Sequence, residues 1–151
     1  MTAYFDTSIL LKGYVSEANS PAAVEIIQTT QSPIPFSHIL EIELRTGIRL
    51  KHGRGEITAS QMKASLHAVE SDLANGILIR PEYNLEAVYT RAETLSAKHA
   101  VATLARSADI LHIAAALEAG CGFFASFDDR QRKIAALAGL KIIPAQAKRK
   151  H

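Results

Sequence analysis

Ala3-Tyr4-Phe5-Asp6-Thr7-Ser8-Ile9-Leu10-Leu11 sets an apolar triplet, an acid, two hydroxyls and a second apolar run in order. The triplet suits a short strand, and Thr7 or Ser8 suits the N-cap of a helix running to Val15. Strand, turn and helix follow directly, with Asp6 at the carboxyl end of the strand.

Outward from this start the same alternation continues. Ser20-Pro21 opens a helix through Val24, Ile26 and Ile27 that Ser32-Pro33 and Pro35 end, and Ile34 to Phe36 reads as a brief strand. Ser37 then caps a helix carrying Ile39, Leu40, Leu44, Ile48 and Leu50 at roughly helical spacing, closed by Gly53 and Gly55. From Thr58 a stripe of Met62, Leu66, Val69 and Leu73 predicts another helix, stopped at Asn75-Gly76. Ile77 to Ile79 is the next strand, followed after Pro81 by a helix from Leu85 to Lys98. Ser107 is expected to cap a helix that stops at Gly120. Gly122 to Ala125 and Lys141 to Ile143 read as two more strands around a helix from Arg130 to Ala138. This alternation predicts an α/β fold with a central, mainly parallel sheet of four or five short strands between layers of helices, because parallel neighbours need crossover connections.

The chain of 151 residues is long enough for one sizeable core and short for two ordinary domains, so one domain over 1–146 is expected, followed by a basic tail at 147–151. Its 48% hydrophobic and 21% charged residues suit a globular protein, and a net charge of +2 permits nucleic acid as a partner without demanding it. Cys121 is the only cysteine, which excludes an intramolecular disulfide and a thiolate zinc cage. The opening residues lack the basic start and apolar run of a secretory signal, and no apolar stretch reaches the ~20 residues needed to span a bilayer. A cytoplasmic location is the expectation.

Ligands of such sheets gather at the carboxyl ends of the strands. Asp6 and Asp128 each follow a strand, and Glu43 and Asp109 would reach the same edge from flanking helices. Clustered carboxylates repel one another unless a cation relieves them, and hard ions such as Mg²⁺ or Mn²⁺ take oxygen ligands. Such an ion can acidify a water for attack on a phosphodiester and offset charge on the leaving oxygen. Glu41 lies two positions from Glu43, so on a helix the two point apart and at most one faces the ion.

Phe5-Asp6-Thr7-Ser8, Glu43-Leu44-Arg45 with Gly47, Ala108-Asp109 before a helix, and Ser126-Phe127-Asp128 together resemble the ordered acidic motifs of PIN-domain nucleases, and size and element order resemble the VapC-like toxin ribonucleases. The resemblance covers nearly the whole chain. It implies a three-layer α/β/α fold and a Mg²⁺- or Mn²⁺-dependent endoribonuclease that hydrolyses RNA with water activated by metal, dimeric and inhibited by a cognate antitoxin. It places the metal-binding acids on Asp6, Glu43, Asp109 and Asp128, favouring Glu43 over Glu41. Thr7, Ser126 and Asp129 would surround and orient those acids. Arg45, Arg49 and Arg130, among the basic residues near the acids, would meet RNA phosphates.

Other expectations weigh against these. Each acid alone could be a helix cap or a solvated side chain, the basic residues could be ordinary helix faces, and His112 reads as a structural or rim histidine rather than a ligand. A haloacid-dehalogenase-type phosphatase also begins strand-Asp, but needs a second aspartate where this chain has Ser8. A degenerate module that binds RNA or protein without cutting is the non-enzymatic alternative.

Overall fold

The computed structural model describes residues 2–16, 20–30 and 33–145. The basic tail expected at 147–151, and Ser32 at the end of the second helix, lie outside the described residues. In chain order the elements are β1 (Ala3–Phe5), α1 (Thr7–Tyr14), α2 (Ser20–Thr29), β2 (Ile34–Pro35), α3 (His38–Gly53), α4 (Ala59–Ala74), β3 (Leu78–Ile79), α5 (Leu85–Thr103), α6 (Ser107–Glu118), β4 (Phe123–Ala125), α7 (Asp129–Leu137) and β5 (Lys141–Ile143).

The fold is α/β, and every strand pairing among the described residues is parallel. β1 pairs with β4 in the register Ala3 to Phe123 and Phe5 to Ala125, and β4 pairs with β5. β2 and β3 form a second ladder, which lies against β1. The five expected strands are all present, divided between a three-stranded and a two-stranded sheet.

Burial of both sheet faces explains the unbroken apolar strands. Tyr4, Phe5, Phe124 and Ala125 have no accessible surface, and the rings of Tyr4 and Phe124 stack at 5.5 Å and 8° across the β1–β4 pair. Ile9 and Leu10 of α1, Leu40, Leu44 and Ile48 of α3, and Ile113, Ala114 and Ala116 of α6 close over this layer. Of the stripe on α4, Val69 is fully buried while Met62, Leu66 and Leu73 pack at its margin. No helix among the described residues is long and apolar enough to cross a membrane.

Capping corrects the sequence expectations in two places. α1 is capped by Asp6 rather than Thr7 or Ser8, because Asp6 leaves the strand with extended backbone and its carboxylate accepts from the Ser8 N–H. Ser107 is the first residue of α6 rather than its cap. Asp109 supplies the capping bond there, accepting the N–H of Arg106 at 3.0 Å. α5 also runs five residues beyond its expected end at Lys98, to Thr103, since no proline or glycine interrupts it before the left-handed Leu104.

Candidate active site

Asp6 follows β1 and Ser126 follows β4, and the parallel pairing carries both to one sheet edge. The ladder continues past the strands there, with the Asp6 N–H donating to Ala125 O at 2.9 Å and the Ser126 N–H to Ile143 O at 3.0 Å. Against this edge lies a cavity of about 480 Å³ lined by Asp6, Thr7 and Ser8, by Glu43 and Gly47 of α3, and by Asp109, His112 and Gln131, with Leu11, Ile42, Thr46 and Leu50 completing its wall. Gly47 leaves room on α3 for α1, since a Cβ there would stand 3.3 Å from Leu11 Cδ2.

Asp6 is buried, with 6% of its surface exposed. Its carboxylate accepts from Ser8 Oγ at 2.7 Å and, more weakly, from the Ser8 N–H at 3.4 Å, while Ser126 Oγ stands 3.3 Å from Oδ2. Burial raises its pKa above the ordinary aspartate value, and the bonds from Ser8 only partly offset that. Glu43 is more open, its side chain 36% exposed. Thr7 donates to its Oε1 at 2.7 Å, and His112 Nε2 is bonded to the same oxygen. Burial pushes Glu43 up, but His112 and Thr7 outweigh it and hold the acid below its usual value.

Asp109 accepts from Gln131 Nε2 at 2.9 Å through Oδ1 and caps α6 through Oδ2. Gln131 is buried, and its Oε1 lies 2.9 Å from Ser126 Oγ. Asp128 is placed differently, although its N–H bonds Ser126 Oγ at 3.0 Å and its charge is one of the causes that raise Asp6. It is exposed, does not line the cavity, and caps α7 by accepting the Gln131 N–H at 3.0 Å.

Three of the four expected acids therefore share one cavity. Among the described residues, however, no three acidic, histidine or cysteine side chains are grouped closely enough to hold an ion as they stand. The donor set itself consists of hard oxygens, the kind Mg²⁺ and Mn²⁺ take, and the raised Asp6 is an acid whose ionised form a cation would relieve.

The two glutamates of α3 are separated as helix geometry requires. Glu43 enters the cavity wall, whereas Glu41 accepts from Arg80 at 2.9 Å and from Arg45 at 3.1 Å. Burial works against its charge, but the two guanidiniums hold it below the usual value. Arg45 is also bonded to Glu70 at 2.5 Å and only 15% exposed, while Arg49 and Arg130 are exposed. Asp129 is exposed at the start of α7.

Two contributors escaped the sequence. Gln131 was hidden in a basic stretch, although Asp128 with Gln three residues on is a helix-start signature that marks the position. His112, structural or rim by its sequence setting, is buried and also reaches Glu43. No local pattern announces this, because its partners Tyr4 and Glu43 lie 108 and 69 residues away. Cys121 is buried and its thiol is pushed up to about 11 by burial, as suits a packed residue and not a nucleophile.

The family model described as PIN domain matches residues 3–137. A chain in the crystal structure of FitAcB from Neisseria gonorrhoeae superposes with a TM-score of 0.67 at 16% identity, covering 95% of this chain and 98% of that one. At that identity the likeness concerns the fold. No curated protein matches the chain in sequence.

Proposed function

The chain belongs to the PIN-domain family, whose members are generally nucleases that bind divalent metals, and from that premise we propose that it is a Mg²⁺- or Mn²⁺-dependent endoribonuclease of the VapC-like toxin type. The observation that carries this is the meeting of Asp6, Glu43 and Asp109 in one cavity at the carboxyl edge of a parallel sheet. These three would hold the ion, with Asp128 contributing from the adjoining start of α7. When bound, the ion supplies Lewis-acid charge for the phosphodiester and an acidified water.

The chain's own residues do the rest. Thr7 and His112 orient Glu43, Ser8 and Ser126 orient Asp6, and Gln131 orients Asp109. Asp129, beside Asp128, adds negative charge to that corner. Arg49 and Arg130 would meet the RNA phosphates, and Arg45 would join them by exchanging Glu41 or Glu70 for phosphate. A homodimer in the cytoplasm, restrained by a cognate antitoxin, completes the proposal.

The direct test is cleavage of single-stranded RNA by the purified protein with Mg²⁺ or Mn²⁺, yielding 5′-phosphate and 3′-hydroxyl ends. Equal cleavage in excess chelator, or full activity in Asp6→Asn, would defeat the assignment. A second reading is a module that binds RNA or protein without cutting. It is favoured by the engagement of each carboxylate with donors instead of with its neighbours. Absence of Mn²⁺ binding by calorimetry would select it.

A further inference from the structure

Behind Glu43 runs a buried line of polar side chains that hydrolysis does not itself use. Ser37 Oγ lies 2.5 Å from Tyr4 Oη, Tyr4 Oη lies 2.7 Å from His112 Nδ1, and His112 Nε2 is bonded to Glu43 Oε1. Ser37, Tyr4 and His112 are each no more than 1% exposed.

The direction of the hydrogen bonds follows from what each group can do. An ionised carboxylate only accepts, so Nε2 must carry a proton. Ser37 Oγ already accepts the Leu40 N–H at 3.2 Å as the cap of α3. In a neutral ring Nδ1 is then bare and takes the phenol O–H, which leaves the Ser37 O–H to donate to Tyr4 Oη. No buried side-chain polar atom among the described residues lacks a partner. Burial also raises the Tyr4 phenol well above its usual range, which keeps it a donor.

We infer that Tyr4 is a positioning residue for Glu43, acting through His112: its hydroxyl donates to Nδ1, holds the ring as the Nε2–H tautomer, and thereby fixes the donor that orients the carboxylate. Tyr4 does not line the cavity and reaches the site only through the imidazole. Hydrogen-bond partners of ligating side chains set ligand orientation, and losing one typically lowers metal affinity or activity about 10- to 100-fold. The consequence for metal and catalysis rests on the nuclease proposal; the tautomer does not.

The experiment uses the full chain, metal-free and labelled with ¹⁵N-histidine, with the His112 ring signals assigned by their loss in His112→Gln. The expected result is a protonated Nε2 and a bare Nδ1. Tyr4→Phe keeps the ring stacked on Phe124 but removes the hydroxyl. It is expected to shift the Nδ1 signal, whose donor is gone, and to bind Mn²⁺ about 10-fold more weakly by calorimetry, with its circular dichroism unchanged. An Nδ1–H or doubly protonated His112 in the wild type overturns the inference, as does a Tyr4→Phe protein with unaltered ring signals and Mn²⁺ affinity. Should the wild type bind no Mn²⁺, the nuclease proposal falls while the ring signals still decide the tautomer. Should Tyr4→Phe fail to fold, Ser37→Ala takes its place: altered His112 ring signals support the relay, and unaltered ones overturn it.

Discussion

The side-chain amide of Gln131 donates to the carboxylate of Asp109 at 2.9 Å, tying the first turn of α7 to the first turn of α6. Gln131→Glu replaces that donor with a like charge in a buried position. In chelator the variant is expected to lose about 1–3 kcal/mol of unfolding free energy, with part of the loss recovered when Mn²⁺ is added. Urea titrations with and without the ion check this; an unchanged midpoint in chelator would show that the amide does not restrain Asp109.

Asp6→Asn tests the other end of the site. Asparagine caps a helix about as well as aspartate, so α1 keeps its start while the buried charge is gone. The folded chain holds the Asp6 proton more tightly than the unfolded chain, because burial raises this acid above 3.8. The stability this gives is complete below 3.8 and is lost as pH climbs through the folded value. In chelator the mutant should therefore gain on the wild type as pH rises from about 3 to 7, while its RNA cleavage falls by roughly 100-fold or more. A flat stability difference across that range would contradict the buried-acid account.

Glu41 and Glu43 give a contrast within one helix. Glu41→Gln weakens a partly exposed ion network and should cost no more than about 1 kcal/mol, leaving RNA cleavage within twofold of the wild type. Glu43→Gln should reduce cleavage by at least about 100-fold. Parallel turnover measurements on the two variants settle which glutamate serves the site, and equal losses would remove the distinction.

Mn²⁺ should stabilise the wild type against unfolding. An ion that binds only the folded chain adds about 2.7 kcal/mol at a concentration 100 times its Kd. Thermal melts of the wild type and Asp6→Asn with increasing Mn²⁺ measure it. A wild-type midpoint that does not move would argue against a metal centre, whatever the cleavage assay reports.

Leu104 ends α5 in the left-handed region at φ 58° with its side chain 66% exposed. A leucine gains little there and bears the steric cost that glycine avoids. Leu104→Gly should raise unfolding free energy by about 1 kcal/mol without changing RNA cleavage. A destabilised variant would mean that the unfolded-chain entropy of glycine, or the packing lost with the leucine, outweighs the steric relief.

Much of this architecture was legible because apolar triplets, capping residues and left-handed stops are local signals. Ser37, Thr58 and Asn75-Gly76 mark helix limits by chemistry that involves only near neighbours. The misplaced caps at Asp6 and Asp109 have a common cause. Both acids bond their own helix start and also face the cavity, so a sequence pattern assigns the two duties to separate residues. The relay from Ser37 to Glu43 was beyond local reading because it is assembled across β1, α3 and α6 from residues with no shared motif. Asp128 follows a strand as expected, yet it turns to cap α7, a competition between element start and cavity that only packing decides.

The contact between Asp6 and Ser126 bridges 120 positions of the chain. A ribosome that has delivered β1 and α3 has already supplied Asp6 and Glu43, but β1 still lacks its β4 neighbour, and neither Ser126 nor Gln131 has emerged. The acid-lined cavity is thus completed only once β4 and α7 have been made, and a chain stopped upstream of β4 lacks both Ser126 beside Asp6 and the amide that holds Asp109.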